Sequence, residues 1–393
     1  MLRLYKSTDV RHVPHDFTMR LLFISNLFPD SREPYRGLDN ATILHGLADE
    51  KWSVRVLALR PSLPTFRKKA MARAGDMRLS PRFVPVPYVP HFGSRVNHML
   101  YAWALKPELE RLRGEFDVVL TSWIYPDSCA IARIADFPFV SIAQGSDVHQ
   151  YLKDRVRRQV ILSHMPKAAT IITRSGDLAR RLAEAGLDAT RIHAVYNGID
   201  LKNFRPPEPG EKEALRDELG IPKEAPLVLF VGNFLPIKNP LVVIEGHRAI
   251  RTMLPQAWLV LIGGGPMEKE MRASIRQNAK FVGRQDSVQV ARWMRAADCL
   301  ILPSENEGVP NVILEAFASG LPVVASRVGG IPEVLNKNYG RLIEPEAKAL
   351  AEAVIEVIAE KIDPQTLAAH GRTFTWEKTV RRYSDLLRSA AGR

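Results

Sequence analysis

The sequence predicts an α/β protein built from two doubly wound domains, and three observations predict it. The chain has 393 residues, more than a single typical core accommodates. In each half, short apolar runs rich in Val, Ile and Leu alternate with helical patterns, the order that builds a parallel sheet covered by helices. Between the halves, proline and glycine cluster at Phe204-Arg205-Pro206-Pro207-Glu208-Pro209-Gly210, the composition of a domain join.

In the first half, residues 21–25, 54–59, 118–121, 139–143, 171–173 and 192–196 are continuous apolar runs, as strands buried on both faces require. Residues 38–51, 96–113, 127–135, 151–165 and 175–185 read as the intervening helices. Residues 81–90 are proline-rich and read as a loop or edge segment, because proline cannot donate to a ladder. The second half repeats the plan. Its strands are 227–231, 258–262, 281–282, 299–302, 323–326 and 341–343, and its helices are 239–254, 267–277, 287–297, 311–319 and 347–359. Residues 374–388 read as an amphipathic helix. Residues 1–18 are polar and patternless and are expected to form a disordered extension, with Met19 as the expected true start. The expected domains are 19–205 and 206–373.

Composition narrows the class. Cys129 and Cys299 are too few for a disulfide framework and read as small buried residues, which fits a reducing cytoplasm. No apolar run is long enough to span a membrane, and the N-terminus lacks the apolar core of a signal peptide. Residues 1–205 hold 31 Lys and Arg against 20 Asp and Glu, while the remainder holds 24 against 23. Clusters stand at Arg67-Lys68-Lys69 with Arg73 and Arg78, at residues 153–158 and at Arg180-Arg181. Such asymmetry concerns partners rather than fold. Anionic lipid headgroups, a lipid-pyrophosphate acceptor, an acidic polysaccharide or nucleic acid would each suit it, and a solvated basic surface is the bland alternative.

The residues that carry chemistry lie at strand ends. After the run 299–302 comes Pro303-Ser304-Glu305-Asn306-Glu307-Gly308-Val309-Pro310-Asn311-Val312-Ile313-Leu314-Glu315-Ala316. Glu307 sits in the loop, and Glu315 sits inside the helix that opens near Pro310. An unpaired buried charge is costly, so Glu315 is expected to have a partner. A helix start offers free N–H groups to phosphate; Pro310 has none, which leaves Asn311 and Val312. The segment therefore suits a nucleotide-sugar, with ribose on Glu315, phosphates at Asn311 and Val312, and sugar near Glu307. After the run 227–231 comes Gly232-Asn233-Phe234-Leu235-Pro236-Ile237-Lys238, in which Gly232 permits close backbone approach and Lys238 can meet a pyrophosphate. Gly263-Gly264-Gly265-Pro266 and Phe281-Val282-Gly283-Arg284 end the next two runs. In the first half the corresponding loops are residues 26–38, with Gly37, and Gln144-Gly145-Ser146-Asp147-Val148-His149. Asp147 is either a helix N-cap or a ligand to sugar or acceptor.

The stretch from Glu307 to Ala316, followed by Gly320-Leu321-Pro322-Val323-Val324-Ala325 and Gly329-Gly330-Ile331-Pro332-Glu333, resembles the signature of retaining GT-B glycosyltransferases of family four, group 1, above all bacterial envelope and exopolysaccharide enzymes. The resemblance implies two Rossmann-like domains facing across a cleft, with helix 374–393 returning to the first. It implies transfer of a hexosyl-type group from a nucleoside-diphosphate sugar to an acceptor hydroxyl on a glycan or lipid-linked saccharide, with retention. Glu307, Lys238, Gln144 and Asp147 are the implied catalytic residues. Gly232, Asn233, Lys238, Gly263, Gly265, Val282, Gly283, Glu307, Gly308, Val309, Asn311, Val312 and Glu315 are implied for the donor, and Gly37 and His149 for the acceptor side. No cofactor is expected beyond the UDP- or GDP-linked co-substrate. No obligatory metal is expected, since no Asp-x-Asp motif is suitably placed. The expected location is cytoplasmic, with an anionic membrane surface on the inner face of the plasma membrane as a candidate partner, and no nucleic acid. Two positions depart from the pattern: Asn233 stands where an Arg is usual, and Gln144 where a His is usual, so no proton can be carried at 144. A glycosidase or phosphorylase with paired glutamates, a nucleotide-sugar epimerase, and a non-enzymatic basic membrane- or nucleic-acid-binding protein are the competing readings.

Overall fold

The structure is a computed structural model and describes residues 19–62, 78–90, 92–275 and 277–392. The expected disorder of residues 1–18 and the basic cluster at Arg67-Lys68-Lys69 and Arg73 lie outside the described residues. The first half runs β1 (Met19–Ser25), α1 (Leu38–Asp49), β2 (Trp52–Ser62), β3 (Arg82–Pro87), α2 (Asn97–Arg111), β4 (Val118–Ser122), α3 (Cys129–Ile134), β5 (Phe139–Ala143), α4 (Ser146–His149), α5 (Arg155–His164), β6 (Thr170–Thr173), α6 (Gly176–Glu184) and β7 (Ile192–Ala194). The second runs α7 (Glu211–Leu219), β8 (Leu227–Val231), α8 (Pro240–Met253), β9 (Trp258–Ile262), α9 (Glu268–Ser274), β10 (Ala279–Gly283), α10 (Ser287–Ala296), β11 (Cys299–Leu302), α11 (Asn311–Ala318), β12 (Val323–Ser326), α12 (Ile331–Val334), β13 (Gly340–Ile343), α13 (Ala347–Glu360), α14 (Pro364–Gly371) and α15 (Trp376–Ala390).

The strands form two parallel sheets. Their orders are β3-β2-β1-β4-β5-β6-β7 and β10-β9-β8-β11-β12-β13. The architecture is GT-B: two Rossmann-like domains. Each order reverses once, between β1 and β4 in the first sheet and between β8 and β11 in the second. At such a reversal the outgoing loops diverge and leave a crevice at the carboxyl ends of the strands. Alternation along β1 shows how the first sheet is covered. Leu22 and Ile24 pack with Tyr101, Leu105, Ile131, Ile161 and Leu178 of α2, α3, α5 and α6. Leu21 and Phe23 pack with Leu44 of α1 and Leu387 of α15.

The C-terminal helix α15 thus crosses back onto the first sheet. Its Ser384 accepts a hydrogen bond from Trp52 Nε1 at 3.0 Å. The crossing begins at Gly198, where Ile199 N–H donates to Phe374 O at 3.1 Å. A Cβ on Gly198 would lie 2.1 Å from Trp376 N, so glycine is obligatory there.

Some boundaries differ from the sequence reading for local reasons. The helix expected from residue 127 starts at Cys129, after an irregular turn over Ile124–Ser128 in which Tyr125 is extended. The helix expected from 151 starts at Arg155, because Asp154 caps it by accepting from Arg157 N at 2.8 Å. The segment 81–90 contains an edge strand, β3, in which Pro85 and Pro87 are tolerated. Helices α7, α12 and α14 were not anticipated. Of its apolar side chains α7 buries only Leu215 and part of Leu219, and it is tied down by Arg216 and Lys212, each 2.7 Å from Asp298, so its apolar pattern is short. α14 starts at Asp363-Pro364, with Asp363 accepting from Thr366 N at 2.9 Å.

Gly198→Ala is expected to destabilise the protein by about 1–3 kcal/mol through overpacking against α15. Gly232→Ala, whose methyl meets only the Phe230 ring at 3.6 Å, should leave the thermal midpoint nearly unchanged. Thermal melts followed by circular dichroism compare the two, and equal midpoints would contradict the packing account.

Candidate active site

The two reversal points supply the site. The loop after β8 runs through a 3-10 turn, Pro236–Lys238, into α8, and the loop after β11 runs into α11. The loops are tied together, since Glu305 N donates to Ile237 O at 2.9 Å and Asn239 Nδ2 to Pro303 O at 3.0 Å. This brings Lys238 and Glu307 into an ion pair with little solvent exposure. Ser304 Oγ donates to the same Glu307 oxygen at 2.7 Å. Phosphate was expected on Lys238 and sugar on Glu307, and the structure joins the two side chains. The 326–333 segment forms their floor. A Cβ on Gly329 would sit 1.8 Å from Glu307 O, and Gly330 N donates to Gly308 O at 3.0 Å.

Helix α11 opens at Pro310, which is extended and provides no side-chain cap. Ile313 N reaches Pro310 O at 3.1 Å, whereas the amides of Asn311 and Val312 have no acceptor among the described residues. One turn on, Glu315 has no hydrogen-bond or ion-pair partner among them, against expectation. Its pKa is raised to about 8, first by desolvation and then by the Asp39 and Asp200 carboxylates. The side chain of Val309 is a core residue, so only its backbone can face a ligand.

The glycine turns knit into one ledge. Gly232 N donates to Ile262 O at 2.9 Å, Phe234 N to Gly264 O at 3.2 Å and Gly263 N to Gly283 O at 2.9 Å. A Cβ on Gly263 would meet Gly232 O at 1.8 Å, and one on Gly265 would meet Phe234 O at 2.6 Å. Asn233 Oδ1 accepts from Arg284 at 2.9 Å, so a guanidinium stands beside the position where the family pattern has an Arg. Val282 O is taken by Gln285 Nε2 at 2.7 Å.

On the first-domain side, Gln144 donates to Ser122 Oγ at 2.6 Å and to Asn40 Oδ1 at 3.0 Å. Asp147 needs correction. It is neither the N-cap of α4, which is Gly145, nor open to a ligand. It is fully buried, and its carboxylate accepts from the amides of Ile124, Gln144 and Gly145, which makes it the pin of this loop. His149 is buried, with its imidazole against the Glu307 backbone carbonyl and Nε2 3.6 Å from Asp177. Burial first, then Arg181, lowers its pKa. Gly37 has φ 69°, and a Cβ there would lie 2.3 Å from Leu27 O, so its loop needs glycine whatever binds.

The sequence reading missed the contacts that join the halves. Glu333 accepts from Gly176 N at 2.8 Å and Tyr196 OH at 2.7 Å, placing a carboxylate at the start of α6. Asn197 Nδ2 donates to Asn311 Oδ1 and to Asp39, each at 2.8 Å, and Asn311 Nδ2 donates to Asp39 at 3.1 Å. No local pattern announces such contacts; a polar residue at a strand end is the one available signal.

Comparison with known proteins agrees with this architecture. Residues 40–203 match the model of Glycosyltransferase Family 4, and residues 211–374 that of Glycosyl transferases group 1. The chain belongs to the family 4, group 1 glycosyltransferases. Among relatives, TuaC of Bacillus subtilis (strain 168), a glycosyltransferase named for teichuronic acid biosynthesis, is 27% identical over 369 residues, covering 88% of this chain and 90% of that protein. A D-inositol 3-phosphate glycosyltransferase of Xylanimonas cellulosilytica is 29% identical over 356 residues, covering 81% and 84%. HepE of Anabaena, solved in complex with UDP, superposes with a TM-score of 0.75 at 18% identity over 94% of this chain and all of that one. Sucrose-phosphate synthase of Thermosynechococcus elongatus superposes at 0.74 with 23% identity, covering 94% and 98%.

In this glycosyltransferase the raised pKa of Glu315 has a direct consequence. The folded state keeps a proton that the unfolded chain releases near pH 4.5, so stability falls as pH rises from there toward about 8. Buried Asp127, raised to about 7 by desolvation, adds a slope of the same sign. Glu315→Gln should flatten the unliganded protein's stability profile and exceed wild type at pH 8.5. Urea midpoints measured from pH 5 to 8.5 test this, and parallel profiles would contradict it.

Proposed function

We propose that this glycosyltransferase moves a hexosyl-type group from a UDP- or GDP-linked sugar to an acceptor hydroxyl on a glycan or lipid-linked saccharide, with retention of configuration. The observation that carries the reading is the Lys238–Glu307 pair beside the amides of Asn311 and Val312, which have no acceptor among the described residues, at the β8/β11 reversal. The UDP complex of HepE and the name of TuaC support the donor and acceptor classes. An incoming diphosphate competes for Lys238 and frees Glu307 to accept from sugar hydroxyls. The bond from the anomeric carbon to the departing phosphate breaks while the acceptor oxygen bonds to that carbon on the same face. The acceptor proton passes to the departing phosphate, so neither Gln144 nor His149 need carry it. Lys238 and the α11 amides face the negative charge that develops. No obligatory metal is required in this scheme. Membership of a glycosyltransferase family supports this reading over the hydrolase, phosphorylase, epimerase and non-enzymatic ones.

The donor reading is tested by thermal shift against UDP-, GDP- and ADP-sugars, where one class should stabilise the protein by mass action. Turnover should release nucleoside diphosphate, persist in EDTA, and fall at least a hundredfold in Lys238→Ala and Glu307→Ala. Wild-type rates in both variants, or loss of turnover in EDTA, would overturn the corresponding part.

We also propose a cytoplasmic location with attachment to an anionic membrane surface. Val96, Met99 and Trp103 form one exposed stripe along α2, and Trp103 is 73% exposed. α2 and α5 share one core on the same side of the first sheet, so their outer sides belong to one face. Exposed Arg95, Lys153, Arg155 and Arg158 on that side have no ion-pair partner among the described residues. An apolar stripe flanked by free cations suits anionic headgroups. Wild type should float with phosphatidylglycerol vesicles and not with phosphatidylcholine, and Trp103→Ala should weaken flotation several-fold. Equal flotation of wild type with both vesicles would contradict this.

A further inference from the structure

Arg174, at the carboxyl end of β6, is 4% exposed, yet no carboxylate among the described residues pairs with it. Its guanidinium meets three side-chain amide oxygens. Nε donates to Gln144 Oε1 at 3.3 Å, Nη2 to Asn40 Oδ1 at 3.2 Å, and Nη1 to Asn197 Oδ1. The ring of Tyr383 on α15 lies 5.8 Å from it.

A guanidinium only donates. Each of the three amides must therefore turn its oxygen to Arg174 and its NH2 elsewhere. Gln144 then donates to Ser122 and Asn40. Asn197 donates to Asp39 and to Asn311 Oδ1. Asn311, having presented its own oxygen, is obliged to donate to Asp39. One orientation is thus handed from β6 of the first domain to the first residue of α11 in the second. We propose that Arg174 is a positioning residue for the donor: through Asn197 it orients Asn311 and holds the start of α11, with its free amides, against the first domain. This rests on the donor reading above and adds the residue that prepares the diphosphate site.

The experiment measures binding of UDP, GDP and ADP by calorimetry, using whichever binds wild type most tightly, beside thermal midpoints. Arg174→Met and Asn311→Ala should each weaken binding about tenfold with midpoints retained. Their double variant should be scarcely weaker than either, because both cut one chain of contacts. Arg174→Lys should not rescue, since an ammonium cannot present a planar fork to three amides. Asn197→Asp guards against an unstable Arg174→Met. It still accepts from Arg174 but cannot donate to Asn311, so binding should weaken as much. Wild-type affinity in Arg174→Lys or Asn197→Asp, or multiplying effects in the double variant, would overturn the inference while leaving the donor reading intact. A wild type that binds none of the three nucleotides overturns both.

Discussion

The geometry of this enzyme depends on one constraint: two parallel sheets each reverse their strand order once, and the two reversals face each other. The constraint is topological before it is chemical. The loops leaving β8 and β11 are tied side by side by the Glu305–Ile237 backbone bond, so Lys238 and Glu307, 69 residues apart in the chain, meet at the reversal. Loops leaving β1, β4 and β5 gather Asn40, Ser122 and Gln144 in the first domain. Side chains placed this way rest on rigid strand ends, which suits groups that must hold position while a substrate arrives.

Charge is arranged unevenly over that frame. The Lys238–Glu307 pair is nearly neutral as a unit. The base of α11, by contrast, gathers Asp39, Asp200 and Glu315. Three ionised carboxyls there would repel a diphosphate seated on the helix start. Glu315, with a pKa near 8, keeps its proton at neutral pH and relieves part of that repulsion. A neutral acid can also donate a hydrogen bond, which an ionised one cannot. Asp39 is occupied by the amides of Asn197 and Asn311, so its charge is spent holding the two halves together.

The framework was legible in the sequence, and the network was not. Strands β5, β8, β9, β11 and β12 have the bounds read from their apolar runs, because burial on both faces leaves a continuous signal. The segment from Glu307 to Glu315 was readable because loop, proline and helix lie side by side in sequence. Helix α7 escaped because its apolar face is only Leu215 and Leu219, with ion pairs to Asp298 adding the rest of its hold. Glu333 and Arg174 escaped because their partners lie far away in the chain, Gly176 at 157 residues from Glu333 and Asn40 at 134 from Arg174. Period and propensity report on neighbours, and neither reports on such pairs.

The glycine turns show how far motif reading reaches. Gly263, Gly265 and Gly329 look like places kept open for a ligand, but their missing Cβ atoms would strike the backbone of adjacent loops. Packing alone demands glycine at all three, so none of them argues for a bound phosphate. Gly308 is different, since its surroundings leave room for a methyl group, whereas Gly283 has the room but a φ of 72° that itself calls for glycine. The weight of the donor site therefore falls on groups that packing does not explain. These are the two amides that open α11 and, beside other acids, the half-buried carboxyl of Glu315, none of which has a partner among the described residues. An unpartnered carboxyl beside two other acids costs stability, so it is the feature of this site that folding alone does not explain.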